Sequence, residues 1–270
     1  MTATRIASLS QLDDGAFRAI ANQLDTYFRL FLERSDDAVR TDDHLLVVTD
    51  EPHPLGSFAF LPESPSIASS RDVIARLGAL DRPSAVILHR APDKALAPLL
   101  DEHAFVLAEP MPAMGADIES LATTSLPEGY TLHELDDPQS HEQSDEWSRA
   151  FANGYELPQP VADLFAPKLL AGSEHNRDVC FFCVRHNDQI VATSAMHLDK
   201  GMAGIYCVAT HPDHRAKGLG AHLTAAPLQR AHDDAYRVAI LQASAMGTPV
   251  YERIGFRSFG DMMLYVRIPE

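Results

Sequence analysis

The chain has 270 residues, 46% hydrophobic and 22% charged; this is ordinary globular composition, excludes a disordered or fibrous protein, and suits two domains of about 100–150 residues each. A formal net charge of −16 disfavours DNA or RNA as a partner and weakly favours a cationic one. No apolar run approaches the ~18 residues that span a bilayer, and residues 1–13 carry one Arg and no signal-type apolar stretch, so the expected setting is the cytoplasm, away from membranes.

Residues 44–49 and 55–60 read as a strand hairpin. The apolar run 85–88 reads as a further strand, followed by a short helical stretch ending at Phe105 and a Met-containing strand over 111–118. Residues 119–128 carry Ser, Thr and Pro without apolar periodicity and form the expected link between a domain at 1–122 and one at 123–270. The polar run 136–144 reads as a loop leading into a helix over 146–155.

Residues 178–185 and 190–198 are a second expected hairpin. Cys180 and Cys183 have the spacing of a zinc or redox pair, but three positions apart on a strand they face opposite ways, so they read as two buried free thiols and no metal is expected. A strand at 203–210 is broken by His211 and Pro212; then come a helix over 218–235, a strand over 237–243, a short helix over 249–254 closed by Gly255, and a last strand over 262–268. Pro227 should kink the long helix after about two turns. Alternating strands and helices imply a mixed α/β sheet. The order strand, helix, Phe, strand occurs in both halves at an offset of roughly 150 residues, as an internal duplication would give.

The stretch most informative for chemistry runs from Ile205 to Leu223, where a strand passes through a turn into a helix whose first residues include Gly218 and Gly220. A helix N-terminus offers unpaired N–H groups and partial positive charge, and glycines let a ligand approach, so this is an anion site suited to a pyrophosphate. It is neither a Gly-Lys-Ser/Thr phosphate loop nor a complete dinucleotide fingerprint. Some thirty residues on, the chain reads Tyr251-x-x-x-Gly255-Phe256.

With Arg215-x-x-Gly218-x-Gly220 preceding Tyr251-x-x-x-Gly255-Phe256, the second half resembles the GNAT N-acetyltransferases, well over about 179–265 and loosely from 130. The resemblance implies tandem GNAT-like domains, each a mixed, mostly antiparallel sheet flanked by helices, with the second domain catalytic. It implies acetyl-CoA as donor and a small-molecule or peptide amine as acceptor, attacked directly without a covalent enzyme intermediate. Ala216, Gly218, Leu219, Gly220 and Ala221 would cradle the pyrophosphate, helped by Arg215 and Lys217, although a solvated surface pair is the alternative for the two cations. Backbone groups of Val208, Ala209 and Thr210 would meet the donor arm and polarise its carbonyl. Ser244 stands where many family members carry a cofactor-touching Asn, and capping its own loop is an equal alternative. Tyr251 would contact the donor and act as general acid. From reference values, full proton transfer from a Tyr to a thiolate is uphill by about 2 kcal/mol, so hydrogen bonding to the leaving sulfur can suffice.

The expected general base is missing from the strands at 203–210 and 237–243; a water chain, Glu156, His197 and the terminal carboxylate are open alternatives, as is an acceptor amine that is already neutral. His211, His214 and His222 read as cofactor contacts or plain surface, and Cys207 lacks a His partner that would make it a nucleophile. The first half has no glycine pair between 62 and 70, and Leu100 stands where Tyr251 would, so it reads as an inactive copy that walls the acceptor pocket. The chain would then be a monomeric pseudo-dimer, with a homodimer as the alternative. A second functional reading is a non-catalytic regulatory or sensory protein that binds coenzyme A.

Overall fold

The structure is a computed structural model that describes residues 6–32, 38–170 and 177–269. In the first half, α1 (Ala16–Leu32) is followed by β1 (Ala38–Arg40), β2 (Leu45–Val48), β3 (Ser57–Leu61), α2 (Ile67–Gly78), β4 (Ser84–Leu88), α3 (Ala97–Glu102) and β5 (Val106–Asp117). The second half continues with β6 (Tyr130–Glu134), α4 (His141–Tyr155), α5 (Gln159–Asp163), β7 (Val179–His186), β8 (Gln189–Asp199), β9 (Met202–Thr210), α6 (Leu219–Asp233), β10 (Val238–Gln242), α7 (Thr248–Ile254) and β11 (Arg257–Arg267). All eleven strands join one mixed sheet in the order β1-β2-β3-β4-β11-β5-β10-β9-β8-β7-β6.

Helices cover both faces, as a sheet with few polar side chains requires. On one face α1, α4 and α5 bury Ile20, Leu24, Tyr27, Trp147, Phe151 and Ala162 against Phe58, Phe60 and Phe181. On the other, α6 and α7 bury Leu219, Leu223, Leu228 and Ile254 against the second half, and α2 and α3 bury Ile74, Leu77, Leu99 and Leu100 against the first. Cys183 lies in the first of these clusters and Cys180 in the second, so the thiols do point apart. Burial raises both to about 11, which keeps them protonated near neutrality.

Each half contains one parallel crossover, β3-α2-β4 and β9-α6-β10. Each half then gives its last strand to the other. β11 does not return to β10; it lies between β4 and β5, with Met263 opposite Leu88 and Arg267 opposite Ser84. β5 in turn pairs with β10, with Ala113 opposite Gln242 and Asp117 opposite Val238. The two exchanged strands pair with each other about Met111–Met262 and Pro112–Asp261, the centre of a pseudo-two-fold relation between the halves.

The hairpin expected over 44–60 is β2 and β3, and the strands expected over 85–88, 178–185, 190–198 and 203–210 are β4, β7, β8 and β9. β5 and β11 each start about five residues earlier than expected, because the first half of each pairs antiparallel with the second half of the other. The polar run 136–144 is only partly loop: the Ser140 hydroxyl accepts from the Gln143 N–H and starts α4 at His141. Among the described residues, no helix is long and apolar enough to cross a membrane.

Severing the chain between 122 and 123 separates β11 from both of its neighbours and β5 from β10. Each fragment alone is expected to melt without a cooperative transition, and mixing them is expected to restore one by circular dichroism. A cooperative melt of 123–270 alone would show that the exchange is dispensable.

Candidate active site

β9 and β10 pair only from Met202–Val238 to Gly204–Ile240. Beyond that point they part: β9 continues to Thr210 on β8, and β10 continues to Gln242 on β5. Val208, Ala209 and Thr210 therefore lie along the edge of a wedge. β9 bulges between Tyr206 and Ala209, where Cys207 adopts φ +52°; its carbonyl accepts from the Thr193 hydroxyl at 3.0 Å. A bulge leaves a residue outside the ladder and turns its backbone groups elsewhere.

The wedge opens toward the turn between β9 and α6. Ala216 and Gly218 both have positive φ, +61° and +80°, and Gly218 is the N-cap of α6 with no side-chain cap. Such alternation turns successive N–H groups into a concavity. A Cβ at Gly218 would meet nothing within 4 Å, so glycine is required there for its backbone angle, and the space above the helix start is open. Leu219 anchors the turn by burying its side chain, which leaves the N–H groups of Leu219, Gly220 and Ala221 at the helix start without helical partners. This cradle fits a pyrophosphate.

Arg215 has other partners at this turn. It donates to the carbonyls of Thr210 at 3.2 Å and Gly154 at 2.9 Å, and pairs with Glu156 at 2.9 Å. It thereby ties the turn to the end of α4, which packs so closely on β9 that a Cβ at Gly154 would lie 2.8 Å from that of Ala209. Lys217 donates to the Tyr130 hydroxyl at 2.9 Å and lies over its ring. The histidines nearby also have local partners: His211 accepts from the Asp213 N–H, His214 Nδ1 lies 2.9 Å from the Tyr130 hydroxyl, and His222 Nδ1 lies 3.0 Å from that of Thr124.

α6 runs unbroken from Leu219 to Asp233 through Pro227. Proline has no N–H for the carbonyl four residues back, which belongs to Leu223. The buried Ser194 hydroxyl on β8 donates to that carbonyl at 2.9 Å. The helix that begins at the cradle is thus pinned to the sheet where its own ladder is interrupted.

Tyr251 lies on α7, almost buried, packed near Phe256 and beside the loop of Ser244. Its hydroxyl makes no hydrogen bond to a described residue, and burial, with Tyr155 nearby, holds it well above the ordinary tyrosine range. Ser244 caps its own loop, its hydroxyl and carbonyl both accepting from the Gly247 N–H. Cys207 lies 3.2 Å from the Tyr27 hydroxyl, and burial pushes its thiol up to about 12, so no thiolate is available as a nucleophile.

Of the three groups of the chain that are alternatives for a base, Glu156 is committed to Arg215, and His197 is buried opposite Gly204 at the closed end of the wedge. The terminal carboxylate lies outside the described residues. Tyr155, the last residue of α4, is half open to solvent and was not singled out by the sequence; the tertiary contact of α4 with β9 brings it here. Among the described residues, no cluster of His, Cys, Asp and Glu is arranged to hold a metal.

The first half has no such wedge. β3 and β4 pair from Phe58–Ala85 through Leu61–Leu88. The start of α2 is capped by the Ser66 hydroxyl, and Leu100 is buried beneath α3.

Residues 154–264 match the acetyltransferase (GNAT) domain family. No protein of curated function matches the sequence. The chain is similar to a GCN5-related N-acetyltransferase from Kribbella flavida, at 22% identity and a TM-score of 0.62 over 99% of this chain and 97% of that one. It is similar to another from Sphaerobacter thermophilus, at 14% identity and 0.61 over 99% and 91%. It is also similar to a tandem GNAT protein from the clavulanic acid biosynthesis pathway, at 13% identity and 0.59 over 98% and 97%. At these identities the likeness is one of fold, and it spans both halves.

Ser194→Ala removes the partner of the Leu223 carbonyl while leaving the cradle untouched. It is expected to cost about 1–3 kcal/mol of stability, read as a lower urea midpoint with an unchanged slope.

Proposed function

With residues 154–264 a GNAT acetyltransferase domain, we propose that this chain transfers an acetyl group from acetyl-CoA to a primary amine by direct attack. The observation that carries this reading is the parting of β9 and β10 beyond Gly204, directly before a cradle at Gly218. The catalytic domain in this reading is 123–270, and 1–122 is a copy that binds no donor.

Each residue then has a definable task. The N–H groups of Ala216 through Ala221 hold the pyrophosphate, and the α6 dipole reinforces them. Lys217 adds charge at the rim; Arg215 acts mainly by holding the turn against α4. The free edge of β9 pairs with the extended arm of the donor, and N–H groups among Val208, Ala209 and Thr210 face the carbonyl oxygen as negative charge develops on it. The thioester supplies an activated acyl group. Tyr251 donates from its hydroxyl to the departing sulfur. Because burial disfavours the tyrosinate, its contribution is a hydrogen bond held through the transition state rather than complete ionisation. Ser244 keeps the loop beside Tyr251 in place.

A second reading, coenzyme A binding without turnover, draws on the lack of any carboxylate on β9 or β10. The acceptor is a small-molecule or peptide amine, the chain works as a monomer because its halves already exchange strands, and the cytoplasm is the expected compartment.

Thiol release from acetyl-CoA with a panel of amines separates the readings. Tyr251→Phe is expected to lower kcat about 10²-fold with coenzyme A affinity unchanged. Tight binding with no turnover on any amine would favour the second reading, and absence of binding would overturn both.

A further inference from the structure

β5 runs antiparallel to β10 and continues past its end. The Ala243 N–H, one residue beyond β10, still donates to the Pro112 carbonyl at 3.0 Å. Glu109 lies three residues further along β5, about 10 Å onward at strand rise, opposite Leu264 of β11. In open α/β sheets a ligand binds in the crevice outside the carboxyl-terminal ends of the strands, where neighbouring strands part. Glu109 therefore stands beyond the end of β10, on the side of the wedge that β9 leaves open.

Its face follows from strand parity. Met111 and Ala113 pack into the core beneath α1 and α4, whereas Met114 and Ala116 pack beneath α6 and α7. Glu109, two residues before Met111, shares the α1 and α4 face, and the irregularity in the β5–β11 ladder falls beyond it toward Leu107. On that face the bulge at Cys207 is surrounded by aromatic residues. Tyr27 of α1 lies 3.2 Å from the Cys207 sulfur and stacks on Tyr206 with ring centres 3.9 Å apart. Tyr155 closes the group from α4, half exposed where Tyr27 and Tyr206 are buried. Although its ring edge is open, enclosure of its hydroxyl pushes that group up to about 12, and the Cys207 thiol and the Glu109 carboxylate add to the rise.

The other acid of this region, Glu156, is neutralised by Arg215. Glu109, half-buried, has no ion-pair partner among the described residues. A carboxylate beside a tyrosine at the end of an acyl-donor wedge matches an ammonium group, through charge and through the ring face.

We infer that Glu109, contributed by the otherwise inactive first half, is the acceptor-binding carboxylate of the second half's active site, and that with Tyr155 it selects amines that are cationic in solution. The inference rests on the acetyl-transfer reading above. In the reaction, Glu109 pairs with the acceptor ammonium and takes one proton from it. The freed lone pair forms the new C–N bond, the C–S bond breaks, and Tyr251 hydrogen-bonds the leaving sulfur. The second proton of the nitrogen leaves to solvent as the amide forms.

The test compares wild type, Glu109→Gln and Glu109→Asp on two amine classes at neutral pH: alkylamines, which are cationic, and arylamines, which are neutral. Coenzyme A affinity is measured in parallel by calorimetry. Glu109→Gln is expected to lower kcat/KM for alkylamines about 10²-fold, through both kcat and KM, and to leave arylamines and coenzyme A affinity within about twofold. Glu109→Asp is expected to recover part of the alkylamine loss. An equal loss on both classes, or no loss on alkylamines, would overturn the role of Glu109 while leaving acetyl transfer intact. Absence of wild-type turnover on every amine, with coenzyme A still bound, would overturn both.

Discussion

The candidate active site depends on two adjacent parallel strands that stop pairing. Between β9 and β10 the ladder ends at Gly204 and Ile240, although both strands continue. Freeing backbone groups in a sheet interior costs about 1–3 kcal/mol for each group left without a partner, so a wedge persists only if each strand is held firmly from outside. β8 holds β9 along its length, and β5 holds β10 over all five of its residues. β5 belongs to the first half of the chain. The opening of the wedge in one half is therefore maintained by a strand from the other, and β11 fills the space between β4 and β5.

The same architecture gives opposite results on the two sides of the pseudo-two-fold. In the first half β3 and β4 stay paired to their ends, and the helix that follows β3 starts at Ser66, whose hydroxyl accepts from the Ser69 N–H. In the second, the strand is bulged, and the helix starts at a glycine with φ +80° above open space. A side-chain cap and an anion site compete for the same N–H groups, so a well-capped helix is a poor phosphate cradle. Arg215 couples this cradle to the other side of the wedge. By holding the carbonyl of Gly154 and the carboxylate of Glu156 it makes the donor turn and the end of α4 a single piece, and Tyr155 stands at that end.

The local features of this protein are written in short windows. The glycines at 218 and 220, the tyrosine at 251 and the strand before them follow one another at fixed spacing, with the glycines at the start of α6 after β9 and the tyrosine on α7 after β10. α1 carries a local signal as well, since Ile20, Leu24 and Tyr27 recur at helical spacing and are all buried. The strand exchange was not legible. Periodicity says that 106–117 and 257–267 are extended, but not which edge each will join, because strand partners are chosen by long-range packing. For the same reason Arg215 read as a phosphate ligand: its spacing from Gly218 is local, while its partners Gly154 and Glu156 are some sixty residues away.

The missing carboxylate is where these points meet. A base on β9 or β10 would be visible in the sequence as an acid inside an apolar strand, and neither strand has one. β5 extends past the end of β10, and it comes from a half whose sequence has no cofactor loop. Burying a carboxylate in the wedge wall would carry a large desolvation cost with no cation present to offset it. Glu109 sits instead at a strand end, half-buried, where water solvates it until an acceptor arrives. An inactive duplicate that shapes only the fold could be trimmed at that edge. One that places a charge beside Tyr155 has a reason to keep β5 long and extended beyond the end of β10.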